Sequence, residues 1–517
     1  MISVHATLAR VTARPPRGQP SSGSARAGGE AVRGTGSTIG FGAAELSELT
    51  GGELLRLSPR LARGAAVDSR RVRPGNIFVA LPGELTDGHA FLREAATAGA
   101  AALVVTRPEA IALEATTDVT VLRVDDGLAA LHRLAAAWRG RFDPLVVGVT
   151  GSIAKTSAKE AIASVLGRRH RTLKNEGNLN NEIGLPITVL DLDPEHDAAV
   201  LEMGMYVGGE IADLARIARP RIGVVTAVQG VHLARIGSLD AVEHAKGELV
   251  EALPADGVAV LNADDPRVRR MAARTAARVI TYGFDPGADV TASDVASAGF
   301  DGMRFRLRSG GEERAAVIPV LGRLSVHNAL AAAAVGSAAG LAIDEVVAGL
   351  AAGWWAPHRG EVIRAGAVTI VDDAYNASPG SMLAALELLA GLPGRPVAVL
   401  GEMLELGDAH EAGHLEVGRA AAAIAAELVV VGRDAAGIAE GARAEGMPQE
   451  RIVVAVGRDE ARAAILARVR PGDTILVKAS RGAALEVLVE ELRAVLETSG
   501  AGGGPDRARA TGGGPRC

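Results

Sequence analysis

The chain has 517 residues, of which 48% are hydrophobic and 22% charged, and its formal net charge is −6. At roughly 100–200 residues per domain this length predicts about three domains, and the small negative charge gives no sign of a nucleic-acid-binding surface. The single cysteine, Cys517, excludes an internal disulfide framework and favours the cytoplasm. We expect no membrane span, since no run reaches about 18 apolar residues, and no signal peptide in MISVHATLAR.

The first predicted domain lies between a polar tail and an α/β region. Residues 1–40 are rich in Arg, Ser, Gly and Ala without an apolar period, which predicts a disordered tail, and residues 499–517 have a similar composition. Residues 41–144 are expected to form an N-terminal domain. It contains a strand at 76–81 (NIFVAL), then a helix and a strand within 90–105.

Strands and helices alternate through the second predicted domain, 145–356. The apolar run PLVVGVTG (144–151) precedes a segment with helical spacing, and this alternation predicts a mostly parallel α/β sheet. A small β-hairpin region is expected at 288–320, followed by an alanine-rich helix. The remaining predicted elements are a helix at 155–169, strands at 198–203 and 222–228, a strand within 257–266, and the alanine-rich helix at 325–340.

Five apolar runs define the third predicted domain, 357–498. They are separated by segments long enough for helices, which predicts a Rossmann-like sheet. The expected strands are 367–373, 396–402, 427–432, 451–457 and 473–480.

The stretch GVTGSIAKTSAKE (148–160) resembles a phosphate-binding loop without its glycines. The strict pattern is G-x-x-x-x-G-K-[ST], but Val149 and Ala154 occupy the glycine positions before Lys155 and Thr156. In a strand–loop–helix context Lys155 would reach nucleotide phosphates and Thr156 would hold Mg²⁺, whereas the alternative is an ordinary strand–helix turn. We predict a right-handed backbone at Ala154, because a left-handed one costs about 1–2 kcal/mol.

Lysine is rare in this chain, with five among the 55 Lys and Arg residues. A lysine retained under such a bias is expected where arginine cannot replace it. Lys246 is one, and its primary amine could take up CO₂ as a metal-binding carbamate. Glu202 and His232 follow predicted strands, where ligands bind at the carboxyl edge of a sheet, so each is either a site residue or an ordinary strand-end residue.

Two polar loops are further candidates. Asn178, Asn180 and Asn181 lie in KNEGNLNNEIGLP (174–186), where amides could hold a peptide or sugar, although asparagine is also common in turns. In VDDAYNASPGSM (371–382), Asp372 or Asp373 could accept a hydrogen bond from a ribose hydroxyl.

In their order and spacing these segments resemble the Mur ligase family, the ATP-dependent amide-forming enzymes of peptidoglycan synthesis. The resemblance covers about 65–490 and includes four further segments: 68–91, HNALAAAA (327–334), LGEMLELG (400–407) and KASRG (478–482). It implies a three-domain α/β architecture with a P-loop-type central ATPase sheet and a C-terminal Rossmann-like domain. Through NLNNEIGLP and DDAYNASP it is most similar to the members that add D-alanyl-D-alanine to UDP-MurNAc-tripeptide.

The resemblance also implies a cytoplasmic and monomeric enzyme that uses ATP and Mg²⁺ and forms an acyl phosphate. Its catalytic residues would be Lys155, His232 and Lys246, the last matching a lysine carbamoylated in several relatives. Metal ligands would be Thr156, Glu202 and His232. The implied ATP-binding residues are Thr150, Gly151, Ser152, Ile153, Ala154, Lys155, Thr156, Ser157, Asn328, Arg359 and Asp372. The implied substrate contacts are Asp68, Ser69, Asp87, Gly88 and His89 for the UDP-sugar, Asn178, Asn180 and Asn181 for the tripeptide, and Tyr375, Asn376 and Ser378 for the dipeptide or nucleotide.

Two alternatives stay open from the sequence. The same fold could serve another substrate, as in a MurE-like, cyanophycin-type or folate-type ligase. A non-catalytic scaffold is also conceivable because of Ala154, although the retained Lys155, Glu202 and Lys246 argue against it. The third residue of the tripeptide, diaminopimelate or lysine, is left undetermined.

Overall fold

The structure is a computed structural model that describes residues 39–83, 86–107, 117–230 and 236–500. Both predicted tails lie almost entirely outside these ranges, as does His232. The chain divides into two compact units: one comprises Met1–Phe142 and Pro186–Leu192, the other Asp143–Leu185 and Asp193–Cys517. Among the described residues, no helix combines the length and apolar composition needed to cross a bilayer.

A five-stranded sheet forms the core of the first unit. Its order is β1-β5-β4-β3-β2, with β1 antiparallel to β5 and the other pairs parallel. The strand predicted at 76–81 and the helix and strand predicted within 90–105 are confirmed. The strands are β1 (Glu53–Arg56), β2 (Ala65–Ala66), β3 (Ile77–Val79), β4 (Ala102–Val105) and β5 (Thr120–Arg123), and the helices are Ala43–Thr50, Leu92–Thr97 and Gly127–Arg139.

The second unit contains a nine-stranded sheet in the order β14-β13-β12-β11-β10-β9-β6-β8-β7. The predicted parallel sheet is confirmed from β7 through β12, and the predicted hairpin region is the antiparallel edge made by β12, β13 and β14. The strands are β6 (Leu145–Thr150), β7 (Thr172–Lys174), β8 (Ala198–Glu202), β9 (Ile222–Val225), β10 (Val258–Asn262), β11 (Arg278–Gly283), β12 (Val290–Ser297), β13 (Met303–Ser309) and β14 (Glu312–Ile318).

Helices pack on both faces of this sheet, which is why its parallel strands are continuous apolar runs. The alanine-rich helix Arg323–Ala338 packs against Lys155–Leu166, and its alanines are buried because small side chains allow the close approach. The helices of this region are Lys155–Leu166, Gly184–Leu190, Glu210–Ala218, Leu239–Glu251, Pro266–Arg270, Arg323–Ala338 and Ile343–Ala351.

A six-stranded sheet in the same unit has the order β15-β16-β20-β17-β18-β19. The five predicted strands are confirmed, but the antiparallel edge strand β15 was missed because its residues are half-buried and partly charged. The strands are β15 (Glu361–Ala365), β16 (Val368–Asp372), β17 (Arg395–Gly401), β18 (Glu427–Val431), β19 (Ile452–Ala455) and β20 (Asp473–Lys478). The helices are Pro379–Ala390, His410–Ile424, Ala436–Ala444, Arg458–Arg468 and Leu485–Gly500. The predicted boundaries at 144 and 356 stay predictions.

Two glycines allow the helices His410–Ile424 and Ala436–Ala444 to touch through their backbones. A Cβ at Gly418 would overlap the carbonyl oxygen of Ile438, and one at Gly441 would overlap that of Leu415. Because the obstacle in each case is backbone rather than a flexible side chain, neither site can accept a methyl group without moving a helix.

We expect Gly418→Ala to lower the free energy of unfolding by about 1–3 kcal/mol through overpacking, measured by thermal or denaturant unfolding. Gly391→Ala is the matched control, since a Cβ there makes only ordinary van der Waals contacts and its φ is −88°. Equal stability of the two variants would contradict the close backbone contact.

Candidate active site

A cavity of about 380 Å³ in the second unit lies where the central sheet faces the third domain. Its volume is within the range of small-molecule sites. The predicted site residues among those that line it are Ser152, Ile153, Ala154, Lys155, Thr156, Ser157, Glu202, Asn328, Arg359, Asn376 and Ser378. The structure therefore brings together the phosphate-loop candidates, the acid after β8 and residues from the third domain.

The phosphate loop is fastened to the end of the neighbouring strand β9. The Thr226 hydroxyl donates to the Ile153 carbonyl at 2.6 Å, and a Cβ at Gly151 would overlap that hydroxyl, so only glycine fits there. Thr150 and Gly151 are buried behind the cavity rather than lining it, and the Thr150 hydroxyl donates to the Met203 carbonyl at 2.9 Å. The loop is thus held from behind, with its open side toward the cavity.

Ala154 has φ 64° and ψ 3°, so the prediction of a right-handed backbone is wrong. The reason is positional, since Ala154 is the residue before the helix Lys155–Leu166, where the loop must reverse. A left-handed residue at such a turn lets successive N–H groups converge on an anion. The left-handed backbone at Ala154 costs about 1–2 kcal/mol because alanine has a Cβ.

Two lysines of this region, Lys155 and Lys246, have lowered pKa values. Burial lowers the pKa of Lys155, Glu202 opposes that shift and Arg359 reinforces it. Lys246, from the helix Leu239–Glu251, is buried beneath the cavity, and burial together with Lys155 lowers its pKa well below the ordinary value. A lysine with such a pKa has a larger neutral amine fraction, the form that reacts with CO₂. Its carbamoylation stays a prediction.

Glu202 ends β8 as a buried carboxylate that is held on one side. Its Oε1 accepts from Asn180 Nδ2 at 2.6 Å, while Oε2 is buried without a hydrogen-bond partner among the described residues. The Asn175 side chain bonds both the backbone N–H and the carbonyl of Glu202, at 2.9 and 3.0 Å. Lys159, fully buried, donates to the Asn175 carbonyl at 2.5 Å. Sequence reasoning missed Asn175 and Lys159 as supports, although both belong to residue types that are scarce here.

The three loop asparagines have different surroundings. Asn180 donates to Glu202, and the side-chain Oδ1 of Asn181 accepts from the Gly184 N–H at 2.9 Å, at the start of the helix Gly184–Leu190. Asn178 is exposed. Asn181 therefore has a structural role in a turn, and the predicted contacts of all three with substrate stay predictions.

The two aspartates after β16 have separate environments. Asp372 is buried and does not line the cavity, since its carboxylate bonds His358 Nδ1 at 2.6 Å and the Ala374 N–H at 3.0 Å. Asp373 reaches the cavity and accepts from Lys478 Nζ at 2.6 Å. Tyr375 lies beside the cavity under Arg359. Neighbouring residues of a strand point to opposite faces, so Asp373 faces the cavity while the Asp372 side chain is engaged with His358. The nucleotide contact predicted for Asp372 stays a prediction.

The candidate UDP-sugar residues belong to the first unit. Asp68 accepts from the Arg70 side chain and backbone, which lowers the pKa of its carboxyl group, and Ser69 is buried next to it. Asp87 accepts from the backbone and ring of His89, at 2.9 and 2.6 Å, across Gly88. Both acids cap short helical turns, and their contact with a nucleotide sugar stays a prediction.

The fold and this cavity define an α/β enzyme of the nucleotide-dependent, P-loop type. Three family models match in sequence order: Mur ligase family, catalytic domain (residues 63–139), Mur ligase middle domain (149–336) and Mur ligase, glutamate ligase domain (358–481). The chain belongs to the Mur ligase family, and the predicted three-domain architecture is confirmed.

Among similar curated proteins are the UDP-N-acetylmuramoyl-tripeptide–D-alanyl-D-alanine ligases of Mycobacterium tuberculosis and Escherichia coli. Each is 38% identical to this chain and matched over 87% of it and 97% of its own length. Similar solved structures include MurF from Acinetobacter baumannii, with a TM-score of 0.79 and 30% identity, covering 88% of this chain and 99% of that one. MurF from Thermotoga maritima in complex with ADP has a TM-score of 0.74 and 28% identity, over 85% and 99%.

We expect Ala154→Gly to raise the free energy of unfolding by up to about 1 kcal/mol, because the Cβ penalty of about 1–2 kcal/mol that it removes exceeds the destabilising gain in unfolded-state entropy that glycine brings. Ala163→Gly, inside the same helix, should instead lower it by roughly 1 kcal/mol. Unfolding midpoints of the two variants test this, and a loss of stability in Ala154→Gly would contradict the left-handed assignment.

The His358–Asp372 pair gives a pH dependence. The hydrogen bond from His358 to Asp372 raises the pKa of His358, although partial burial opposes this shift. The pair's stabilisation is therefore complete below the unfolded-state pKa and lost as the pH rises through the folded-state pKa. We expect His358→Asn to lower the free energy of unfolding more at pH 5.5 than at pH 9. NMR titration should give His358 a pKa above its ordinary value of about 6.5, returning toward it in Asp372→Asn. Equal destabilisation at both pH values would contradict the pair.

Proposed function

We propose that the protein is an ATP-dependent ligase that joins D-alanyl-D-alanine to the terminal carboxylate of UDP-MurNAc-tripeptide, in the synthesis of peptidoglycan precursors. One structural observation carries the proposal: a phosphate loop with Lys155 opens into the cavity that third-domain Arg359 and Lys478 also line. The substrates come from the names of relatives that match almost along their whole length.

The cavity residues suit phosphoryl transfer followed by amide formation. The loop N–H groups and Lys155 would hold the ATP phosphates, with positive charge where the transferring phosphoryl group becomes more negative. The γ-phosphoryl group passes to an oxygen of the tripeptide carboxylate and leaves ADP. The dipeptide amine then attacks the acyl carbon, the tetrahedral intermediate expels inorganic phosphate, and the attacking nitrogen loses its proton.

Magnesium fits the acid at the cavity. The Oε2 atom of Glu202 is buried without a hydrogen-bond partner among the described residues, and Thr156 lies on the same cavity wall. Hard oxygen donors of this kind are what Mg²⁺ prefers. Glu202 and Thr156 would hold the ion, with His232 proposed as a third ligand, and it would neutralise phosphate charge during transfer.

The buried Lys246 is proposed to support this site from below. The pKa of its amine is lowered by burial and then by repulsion from Lys155, and a carbamate would replace that repulsion with attraction because it carries a negative charge. We also infer that the protein acts in the cytoplasm, where ATP is available, and that it acts as a monomer.

Phosphate release with ATP, Mg²⁺, UDP-MurNAc-tripeptide and D-alanyl-D-alanine tests the proposal. We expect release to require the dipeptide. Lys155→Met should lower kcat by about 100-fold or more, because a phosphate-stabilising charge is lost. Arg451→Met is the control, since that cationic side chain is exposed and outside the cavity.

The same assay separates the alternatives. Phosphate release that depends on a single amino acid instead of the dipeptide, with a UDP-linked substrate shorter than the tripeptide, would favour a MurE-like ligase. A chain that releases no phosphate with tripeptides ending in either diaminopimelate or lysine would contradict the proposed function. Comparing the rates of phosphate release with the two tripeptides also determines which third residue the protein accepts.

A further inference from the structure

Two arginines flank one aromatic ring at the edge of the cavity. The guanidinium carbon of Arg359 is 4.1 Å from the centroid of Tyr375, and that of Arg481 is 5.0 Å from the same centroid. Arg359 lines the cavity, whereas Arg481 follows the end of β20 in a short helical turn. All three side chains are half-buried. The ring thus holds two cations close together.

Among the described residues, no carboxylate lies within ion-pairing distance of either arginine. In the described part of the chain neither Arg359 nor Arg481 forms an ion pair or a side-chain hydrogen bond, although Arg395 and Arg462 of the same domain are paired with carboxylates. The nearby ammonium of Lys478 is neutralised by Asp373. Two half-buried guanidinium groups without acids leave a positive potential that an anionic ligand would satisfy.

Only one of the two arginines, Arg359, lines the cavity that contains the candidate phosphate loop. It shares that cavity with Lys155. Arg481 contacts the same ring but is not part of the cavity wall around the loop. An acceptor dipeptide carries its amine and its carboxylate about 7 Å apart. If the amine is at the acyl phosphate, the carboxylate must lie beyond it.

We propose that Arg481 binds the free carboxylate of the acceptor dipeptide, with Tyr375 as the platform that orients the guanidinium group. Stacking on the ring fixes the plane of a guanidinium while its N–H edge stays free for a bidentate contact with a carboxylate. This inference rests on the proposed function. It assigns Arg481 to recognition of the acceptor and leaves Arg359 on the phosphoryl side.

The test compares D-alanyl-D-alanine with its C-terminal amide, which has the same amine but no negative charge. In the wild-type protein we expect the amide to have a KM about 10- to 100-fold higher, the effect of losing a charged hydrogen bond. Arg481→Gln should raise the KM for the dipeptide by a similar factor and leave the KM for the amide nearly unchanged. The KM for ATP should not move.

Matched variants separate recognition from packing. Arg481→Lys keeps the charge and should partly recover the preference for the dipeptide, whereas Arg451→Gln, an exposed arginine of the same domain, should behave as the wild type. The inference is overturned if Arg481→Gln raises the KM for dipeptide and amide equally, or if the wild type accepts both equally well. A wild type without dipeptide-dependent phosphate release contradicts the proposed function itself, and the inference falls with it.

Discussion

The electrostatic balance between Glu202 and the lysines beside it is the constraint on which the cavity depends. Burial lowers the pKa of Lys155 and Glu202 opposes that shift, whereas burial and then repulsion by Lys155 both lower the pKa of Lys246. A buried carboxylate with one unpartnered oxygen is stable only if its position is enforced. Asn175 fixes its backbone, Asn180 holds one oxygen, and Lys159 holds Asn175. A layer of amides and ammonium groups therefore keeps the acid facing the cavity.

The third domain completes this charge pattern from the opposite side. Lys478 is neutralised by Asp373, so the cationic character of that wall comes from Arg359, and Arg481 lies outside the wall on the same Tyr375 ring. The candidate phosphate loop on one wall and Arg359 on the other fit the proposed reaction, whose acyl-phosphate intermediate is anionic. The buried Asp372–His358 pair stands apart from this wall and ties the segment before β15 to the end of β16.

Much of the fold could be predicted from the sequence because the apolar runs of parallel strands are buried on both faces and thus continuous. The half-exposed β15 lacks that signal and was missed. Scarcity was informative as well: of the five lysines, Lys159, Lys246 and Lys478 are buried and Lys155 lines the cavity. Spacing alone did not reveal that Asn175 supports Glu202, since that contact joins residues 27 positions apart.

The sequence by itself determined the order of strands and helices, the phosphate loop and the membership of a ligase family, because these follow from local pattern and motif order. The tertiary structure alone decided the backbone at Ala154 and the choice between Asp372 and Asp373. Ala154 is left-handed since the loop must reverse between the end of β6 and its helix while Thr226 holds it from β9. Asp372 faces His358 and Asp373 the cavity, a difference set by the direction of the chain where β16 ends.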